Sequence, residues 1–125
     1  MNRTYCLLIQ VKSAQKIKVG KLGVFEFPRG YYVYIGSALN NLEARIARHF
    51  SKRKKKHWHI DYLLEKGKII AFFASQKKEC ELNSEIFKIP GAMTPVEKFG
   101  STDCGCKSHL AYFKENPVKY LVSNL

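Results

Sequence analysis

The sequence predicts a small α/β fold, one domain over residues 1–125, in which a central antiparallel sheet of three or more strands is flanked by helices. Its length suits a single domain of common size, and the 46% of hydrophobic residues suffices for a buried core. Short apolar runs typical of strands are separated by segments with helical spacing and capping residues. A turn with Pro and Gly joins two strand-like runs, which favours antiparallel pairing.

The predicted strands follow from apolar runs and from alternation. The first is a buried apolar run, and the next two resemble a hairpin that turns at Pro28–Gly30. In the second arm, Tyr32 and Tyr34 fall on one face of the sheet because side chains alternate along a strand. A fourth run, KIIAFFAS, is predicted as a buried strand. Strands are predicted at residues 5–11, 23–27, 31–36, 68–75 and 109–113.

The first helix is predicted to follow the hairpin directly. Asn40 and Glu43 have the spacing of a capping box, with Asn in place of the usual Ser or Thr. Leu42, Ile46 and Phe50 recur every four residues and predict the buried side of this helix. Two further helices are predicted at residues 58–67 and 79–87.

The chain has a large excess of positive charge, with 22 Lys and Arg against 10 Asp and Glu and a formal net charge of +12. This excess favours a polyanionic partner, and nucleic acid is favoured over an anionic membrane because no long amphipathic basic helix is visible. The absence of a membrane-spanning apolar run and of a signal-peptide layout predicts a cytoplasmic protein without a membrane partner. The residues predicted to contact nucleic acid are Arg48, Lys52, Arg53, Lys54, Lys55 and Lys56. The alternative for the lysine run is a solvated loop.

The cysteines permit two interpretations. Cys6 lies in an apolar run and is predicted only to pack. The remaining cysteines and one histidine offer soft and imidazole donors for a structural zinc site, formed by Cys80, Cys104, Cys106 and His109. In the alternative, Asp103 caps a turn, the thiols pack, and the histidine completes a hydrogen-bond network.

Five sequence blocks, in this order, resemble a compact and mostly uncharacterised branch of the GIY-YIG nuclease superfamily: GYYVYIGSA, RIARHF, HWHIDYLL, EC and FGSTDCGCKSHL. Members of this branch occur alone or joined to an endonuclease III-like domain. Residues 34–36 spell the YIG element. Arg45 and His49, one turn apart at the border of the buried side of the first helix, lie where these nucleases carry an Arg and a His or Tyr. Residues 3–5 read RTY in place of GIY, and the asparagine that closes many of these sites has no clear counterpart.

The resemblance implies a metal-dependent endonuclease that hydrolyses phosphodiester bonds in DNA, in repair or recombination. A phosphodiester and hydroxide are both anionic, so such a site must supply positive charge and a poised base. The resemblance implies that Tyr34 orients or deprotonates the attacking water and that Tyr5 completes the polar network on the adjoining strand. Arg45 would stabilise the pentacoordinate transition state, and His49 would relay a proton.

A carboxylate on the third helix is implied to hold a single divalent metal, Mg²⁺ or Mn²⁺, beside the leaving oxygen. The apolar residues Leu82, Ile86 and Phe87 define the inward side of this helix. Glu79 falls in the middle of that side, whereas Glu81 points away from it. Glu79 is therefore the predicted metal ligand, with Glu81 as the alternative.

Two other classes of function remain open. A non-catalytic nucleic-acid-binding module would keep the nuclease scaffold without turnover, which the missing glycine and asparagine favour. The retained Tyr34, Arg45, His49 and Glu79 oppose this alternative. A small structural or partner protein, in which the 103–106 loop binds metal or another chain, would show no salt-sensitive DNA binding.

Overall fold

The computed structural model describes residues 3–102 and 104–124, so the capping role considered for Asp103 lies outside the described residues. The strands are β1 (Thr4–Val11), β2 (Gln15–Val19), β3 (Gly23–Phe27), β4 (Gly30–Ser37), β5 (Lys68–Ser75) and β6 (Leu110–Phe113). The helices are α1 (Leu42–Phe50), α2 (His59–Leu63), α3 (Glu79–Phe87) and α4 (Val118–Asn124). The predicted α/β fold, with an antiparallel sheet flanked by helices, is confirmed.

The main sheet has the strand order β5-β1-β4-β6, with antiparallel neighbours throughout. The central strands β1 and β4 are buried along nearly their whole length. β2 and β3 form a separate two-stranded sheet, joined by a 3-10 turn at Gly20–Leu22. The prediction of a buried strand at 68–75 is wrong, because β5 is an edge strand and alternates between exposed and partly buried side chains.

The predicted hairpin of residues 23–36 does not form. β3 pairs with β2, whereas β4 pairs with β1 and β6. The difference follows from the burial that each strand requires. Both faces of β4 carry apolar or aromatic side chains and are covered in the middle of the main sheet, while β3 alternates between exposed and covered positions. The turn at Pro28–Gly30 therefore passes the chain from the small sheet to the main one.

Helices cover both faces of the main sheet. On one face, Tyr5, Tyr32 and Tyr34 pack with residues of α1, α2 and the small sheet. On the other face, Cys6 and Val33 pack with residues of α3 and α4. The predictions that Tyr32 and Tyr34 share a face and that Cys6 packs in the core are confirmed.

The first helix differs in detail from its prediction. Its cap is Asn41 rather than Asn40, because the Asn41 side chain accepts a hydrogen bond from a backbone N–H of the first turn at 2.9 Å. Phe50, predicted to be buried, is 48% exposed and packs on Phe72 of the edge strand. Helical geometry places His49 nearer the centre of the buried side, and this histidine occupies the inward position at the end of α1.

The carboxylate of Asp61 ties α1 and α2 to the connection between them. It accepts hydrogen bonds from Arg48 at 3.0 and 3.1 Å and from the backbone N–H groups of His57 and Trp58 at 2.8 and 2.9 Å. Burial acts to raise the pKa of Asp61, but these donors outweigh burial and hold the pKa below its ordinary value. The predicted helix at 58–67 is shorter than expected, since α2 ends after 5 residues.

We expect Asp61→Asn to lower the free energy of unfolding at pH 7 by about 2–3 kcal/mol, because an amide cannot satisfy both Arg48 and the backbone donors. The pKa of Asp61 is lowered by folding, so its stabilising contribution is complete above the unfolded-state pKa of about 4 and is lost as the pH falls through the folded-state value. The urea midpoints of unfolding of the wild type and the variant should therefore converge as the pH is lowered below about 4.

The control is Glu65→Gln, which removes an exposed ion pair with Lys56 and should cost less than about 1 kcal/mol. A cost for Asp61→Asn no larger than the cost for this control would contradict the prediction.

Candidate active site and metal cluster

Two tyrosines lie side by side on the central strands. The register pairs Tyr5 with Gly36 and Leu7 with Tyr34, so the two tyrosines are diagonal neighbours on one face. Their ring centroids are 6.4 Å apart in an edge-on arrangement. At Gly36, a Cβ atom would lie 2.7 Å from the Tyr5 hydroxyl and 3.1 Å from the Tyr34 ring. The glycine of the YIG element is therefore what allows the two rings to approach.

The Tyr5 hydroxyl lies 2.6 Å from His49 Nε2, within hydrogen-bond distance. Burial is the main cause of both pKa shifts: it lowers the pKa of His49 to about 4 and raises the pKa of Tyr5 to about 12. At neutral pH the two side chains are therefore an uncharged hydrogen-bonded pair. His49 Nδ1 is buried and has no hydrogen-bond partner in the described part of the chain. The structure thus brings together Tyr5, predicted to complete a polar network, and His49, predicted to relay a proton.

Tyr34 is almost fully buried, with its ring edge-on to His49 and to Phe99. Its hydroxyl makes no hydrogen bond to any residue within 3–102 or 104–124. Burial raises the pKa of Tyr34 well above its ordinary value near 10, and Tyr5 and Glu79 add to the effect. At neutral pH the phenol is therefore protonated and can both donate and accept a hydrogen bond.

Arg45 is held by a backbone carbonyl and an aromatic ring. Its Nη1 donates a hydrogen bond to the Ser37 carbonyl oxygen at 2.8 Å, and its guanidinium lies 4.4 Å from the centroid of Trp58. Arg48 lies over the same ring at 4.2 Å. Trp58 therefore contacts two cations and is half-buried, which positions Arg45.

Glu79, the first residue of α3, faces the same end of β4. The Ser37 hydroxyl donates a hydrogen bond to its Oε1, and His109 Nδ1 lies 2.7 Å from its Oε2. Burial acts to raise the pKa of Glu79, but these two contacts and Arg45 hold the pKa below its ordinary value, so the group is a carboxylate. Glu81 is exposed and accepts a long hydrogen bond, at 3.4 Å, from the backbone N–H of Lys78 at the helix cap. Of the two candidate carboxylates, Glu79 is the one that contacts Ser37 at the end of β4, and its charge acts to raise the pKa of Tyr5 and of Tyr34.

Ser37, the last residue of β4, joins the two charged groups of the site. Its carbonyl oxygen accepts from Arg45, and its hydroxyl donates to Glu79. Sequence reasoning missed this residue. The available signal was its position directly after the YIG element, at the end of the strand.

The four side chains predicted as a zinc site converge in space. One ligand atom from each lies within 4.8 Å of all the others, in the set Cys80, Cys104, Cys106 and His109. An ion with bonds of about 2.0–2.3 Å holds four tetrahedral ligands about 3.3–3.8 Å apart, so small side-chain movements would bring these donors onto a single ion. Burial acts to raise the pKa of Cys104, but hydrogen bonds from Cys106 and the charge of His109 hold it below its ordinary value, which favours a thiolate. The cluster has the donors and the spacing to bind a metal ion.

The residues predicted to contact nucleic acid divide into two groups. Arg48 is bound by Asp61, and Lys54 Nζ donates to three backbone carbonyls at the end of α1, at 2.9 to 3.1 Å. Lys56 forms a surface ion pair with Glu65 at 3.0 Å. The remaining members, all exposed, are Lys52, Arg53 and Lys55. Arg48 and Lys54 thus stabilise the local fold, a role that the excess of basic residues in this part of the sequence did not reveal.

A family model described as a domain of unknown function, DUF123, matches residues 4–125 of the chain. No curated protein and no solved structure matches it. Among the helices of the described residues, none is long and apolar enough to cross a membrane. The functional interpretation therefore depends on the site itself.

We expect Gly36→Ala to displace Tyr5 and to lower the free energy of unfolding by about 1–3 kcal/mol, because the added Cβ would lie 2.7 Å from a buried hydroxyl. The displacement should break the contact between Tyr5 and His49 and shift the ring resonances of His49 in NMR spectra. Gly105→Ala is the matched control, since its Cβ would meet no atom within 4 Å. Equal stability and equal His49 resonances in the two variants would refute the expectation.

Proposed function

Since the chain belongs to the DUF123 family, a domain of unknown function, we propose from its site that the protein is a metal-dependent endonuclease that hydrolyses phosphodiester bonds in DNA. The observation that carries this proposal is the convergence of a cation and a carboxylate on Ser37, beside two buried tyrosines. The net charge of +12 supports a polyanionic substrate. The resemblance to GIY-YIG nucleases supports the reaction and a role in repair or recombination.

Arg45 is proposed to bind the scissile phosphate. Its guanidinium is oriented by the Ser37 carbonyl and the Trp58 ring, and it has five N–H donors in a planar fork, so donors remain for a non-bridging oxygen. A cation fixed in this way needs no reorganisation when negative charge develops in the transition state.

Tyr34 is proposed to orient the attacking water. Because its phenol is protonated at neutral pH, it can hold a water molecule by hydrogen bonding, and it would act as a base only with positive charge at its hydroxyl. The His49 and Tyr34 rings are 6.0 Å apart. The neutral pair of Tyr5 and His49 therefore lies beside the water position and offers a route for a proton.

Glu79 is proposed to hold a single Mg²⁺ or Mn²⁺. The side chain fits this role, since an ionised carboxylate that is 29% exposed offers the hard oxygen ligand that these ions prefer. When bound, the ion would supply Lewis-acid stabilisation of the leaving oxygen.

The exposed basic residues beyond α1 are proposed to contact the DNA backbone. Lys52, Arg53 and Lys55 project into solvent next to the helix that carries Arg45. Phosphate contacts of this kind position the duplex without reading its sequence, and they make binding sensitive to salt.

The cysteine–histidine cluster is proposed to bind a structural Zn²⁺. Three thiols and one imidazole are the donor set of a closed tetrahedral zinc site, and they suit Mg²⁺ poorly. The ion would fasten the loop that carries Cys104 and Cys106 to Cys80 at the start of α3.

A non-catalytic nucleic-acid-binding module is the second candidate. It is favoured by the raised pKa of Tyr34 and by the missing glycine in residues 3–5. Such a module would bind DNA through the same exposed lysines without cleaving it.

We expect the protein to cleave at least one of plasmid, branched or single-stranded DNA with Mg²⁺ or Mn²⁺, and not with a chelator. Arg45→Ala should slow cleavage by about 100-fold or more, because it removes the fixed cation, and Tyr34→Phe should slow it by removing the hydroxyl. Lys114→Ala, at the opposite end of the sheet from Ser37, is the control that loses one positive charge away from the site. Rates are measured at one salt concentration, since binding itself is salt-dependent.

Cleavage that persists in both the Arg45→Ala and the Tyr34→Phe variants would show that these residues do not form the catalytic site. Salt-sensitive binding of all three DNAs without cleavage would favour the module.

We expect the purified protein to contain about one zinc per chain by elemental analysis, because four soft donors converge. Cys104→Ser should lose most of this zinc, whereas Cys6→Ser changes a buried thiol outside the cluster and should retain it in the folded fraction. A wild-type content below ~0.2 zinc per chain would exclude the zinc site.

A further inference from the structure

The metal cluster and the candidate active site meet at one side chain. Glu79 directly precedes the cluster residue Cys80 at the start of α3. Its Oε1 accepts a hydrogen bond from Ser37, which also binds Arg45, while its Oε2 faces His109 of the cluster. The two oxygens of one carboxylate therefore face two different sites.

The geometry of His109 gives this contact a chemical meaning. His109 Nε2 is the nitrogen towards the thiols, at 3.4 Å from Cys104 Sγ, and Nδ1 is the nitrogen at 2.7 Å from Glu79. An imidazole that binds a metal through Nε2 carries its proton on Nδ1, and that proton needs an acceptor. Glu79 Oε2 lies 2.7 Å from this nitrogen, but the Nδ1–H direction is not aligned on it, so Nδ1 makes no hydrogen bond in this structure. A rotation of the imidazole ring or of the carboxylate would align the two groups and supply the acceptor.

Burial makes the carboxylate difficult to replace. His109 is 1% exposed, and solvent does not reach its Nδ1. Among residues 3–102 and 104–124, Glu79 is the acceptor found next to that nitrogen. Without Glu79, the proton on Nδ1 would be buried without a partner, which weakens any metal bond that requires this tautomer.

We propose that Glu79 is the carboxylate that orients His109 in the thiolate metal centre, so that the same side chain couples zinc binding to the phosphodiester site. The inference rests on the proposed zinc centre, and for its catalytic consequence on the proposed nuclease function. Zinc at the cluster would fix His109, and His109 would hold Glu79 against Ser37. Zinc binding and the contact between Glu79 and His109 are thermodynamically linked. The free energy by which bound zinc would stabilise this contact equals the free energy of zinc binding that is lost when the contact is broken.

The test measures zinc affinity by competition with a chromophoric chelator and does not use DNA cleavage. Glu79→Gln should weaken zinc binding by about 10- to 100-fold, the usual effect of losing the carboxylate partner of a metal-bound histidine. Glu81→Gln is the matched control, since it makes the same charge change two residues further along α3 on an exposed side chain, and its affinity should stay within about 2-fold of wild type. Equal affinities in the two variants would overturn the inference.

A double-mutant cycle separates orientation of His109 from a general charge effect. His109→Cys keeps four soft ligands but removes the imidazole, and it should retain about one zinc per chain. In this background Glu79→Gln should no longer weaken zinc binding, because no Nδ1 proton remains to be accepted. Weakening of the same size in both backgrounds would overturn the inference.

Failures at different steps are distinguishable. A wild-type protein without zinc would refute both the zinc centre and this inference. Loss of zinc in Glu79→Gln but not in Glu81→Gln, in a protein that cleaves no DNA, would support the inference and refute only the nuclease. If Glu79→Gln does not fold, Glu79→Asp serves as the second variant. Its side chain keeps the negative charge but is one methylene shorter, so its carboxylate lies further from His109 and zinc binding should again be weaker than in the wild type.

Discussion

The antiparallel pairing of β1 with β4 is the constraint on which the candidate site depends. Both strands lie in the middle of the main sheet and are covered on both faces, so each polar side chain on them costs free energy unless it finds a partner. Tyr5 finds one in His49, and the register that places Tyr5 opposite Gly36 provides room for its ring. The strand then ends at Ser37, where α1 and α3 each contribute one charged side chain. Tyr5 lies on β1 and Tyr34 on β4, so a slip of one residue between these strands would leave the two tyrosines on opposite faces of the sheet and break the arrangement.

Burial also sorts the site into neutral and charged parts. Tyr5, Tyr34 and His49 are kept uncharged at neutral pH by desolvation, whereas contacts with Ser37, His109 and Arg45 lower the pKa of Glu79 and keep its carboxylate ionised. Two polar atoms of the site have no hydrogen-bond partner among the described residues: the buried His49 Nδ1 and the hydroxyl of Tyr34, a residue that is 8% exposed. Water or a phosphate group would supply a hydrogen-bond partner for the Tyr34 hydroxyl. The same site would then supply a fixed cation, a fixed anion and an orienting phenol around one bond of the substrate.

Much of the candidate site could be predicted from local patterns. Alternation placed Tyr34 with its neighbour Tyr32 on one face, and the helical wheel favoured Glu79 over Glu81, because both properties depend on the periodicity of a single element. The predictions failed where the packing of a neighbouring element determines how a strand pairs or how far a side chain is buried. The hairpin at 23–36 failed because a local turn does not reveal which strand is buried on both faces. The exposure of Phe50 depends on the edge strand beside α1.

The sequence by itself determined the α/β class, the faces of single strands and helices, and a set of four side chains with the donors to bind a metal ion. Only the tertiary structure decided that Arg48 binds a buried carboxylate and that Lys54 donates hydrogen bonds to carbonyls at the end of α1. The neighbouring basic residues Lys52, Arg53 and Lys55 remain exposed. It also decided that Glu79 touches both the cluster and Ser37. These contacts join elements that are distant along the chain. Periodicity is a property of one element, whereas a hydrogen bond between elements exists only once packing has set the distance between them.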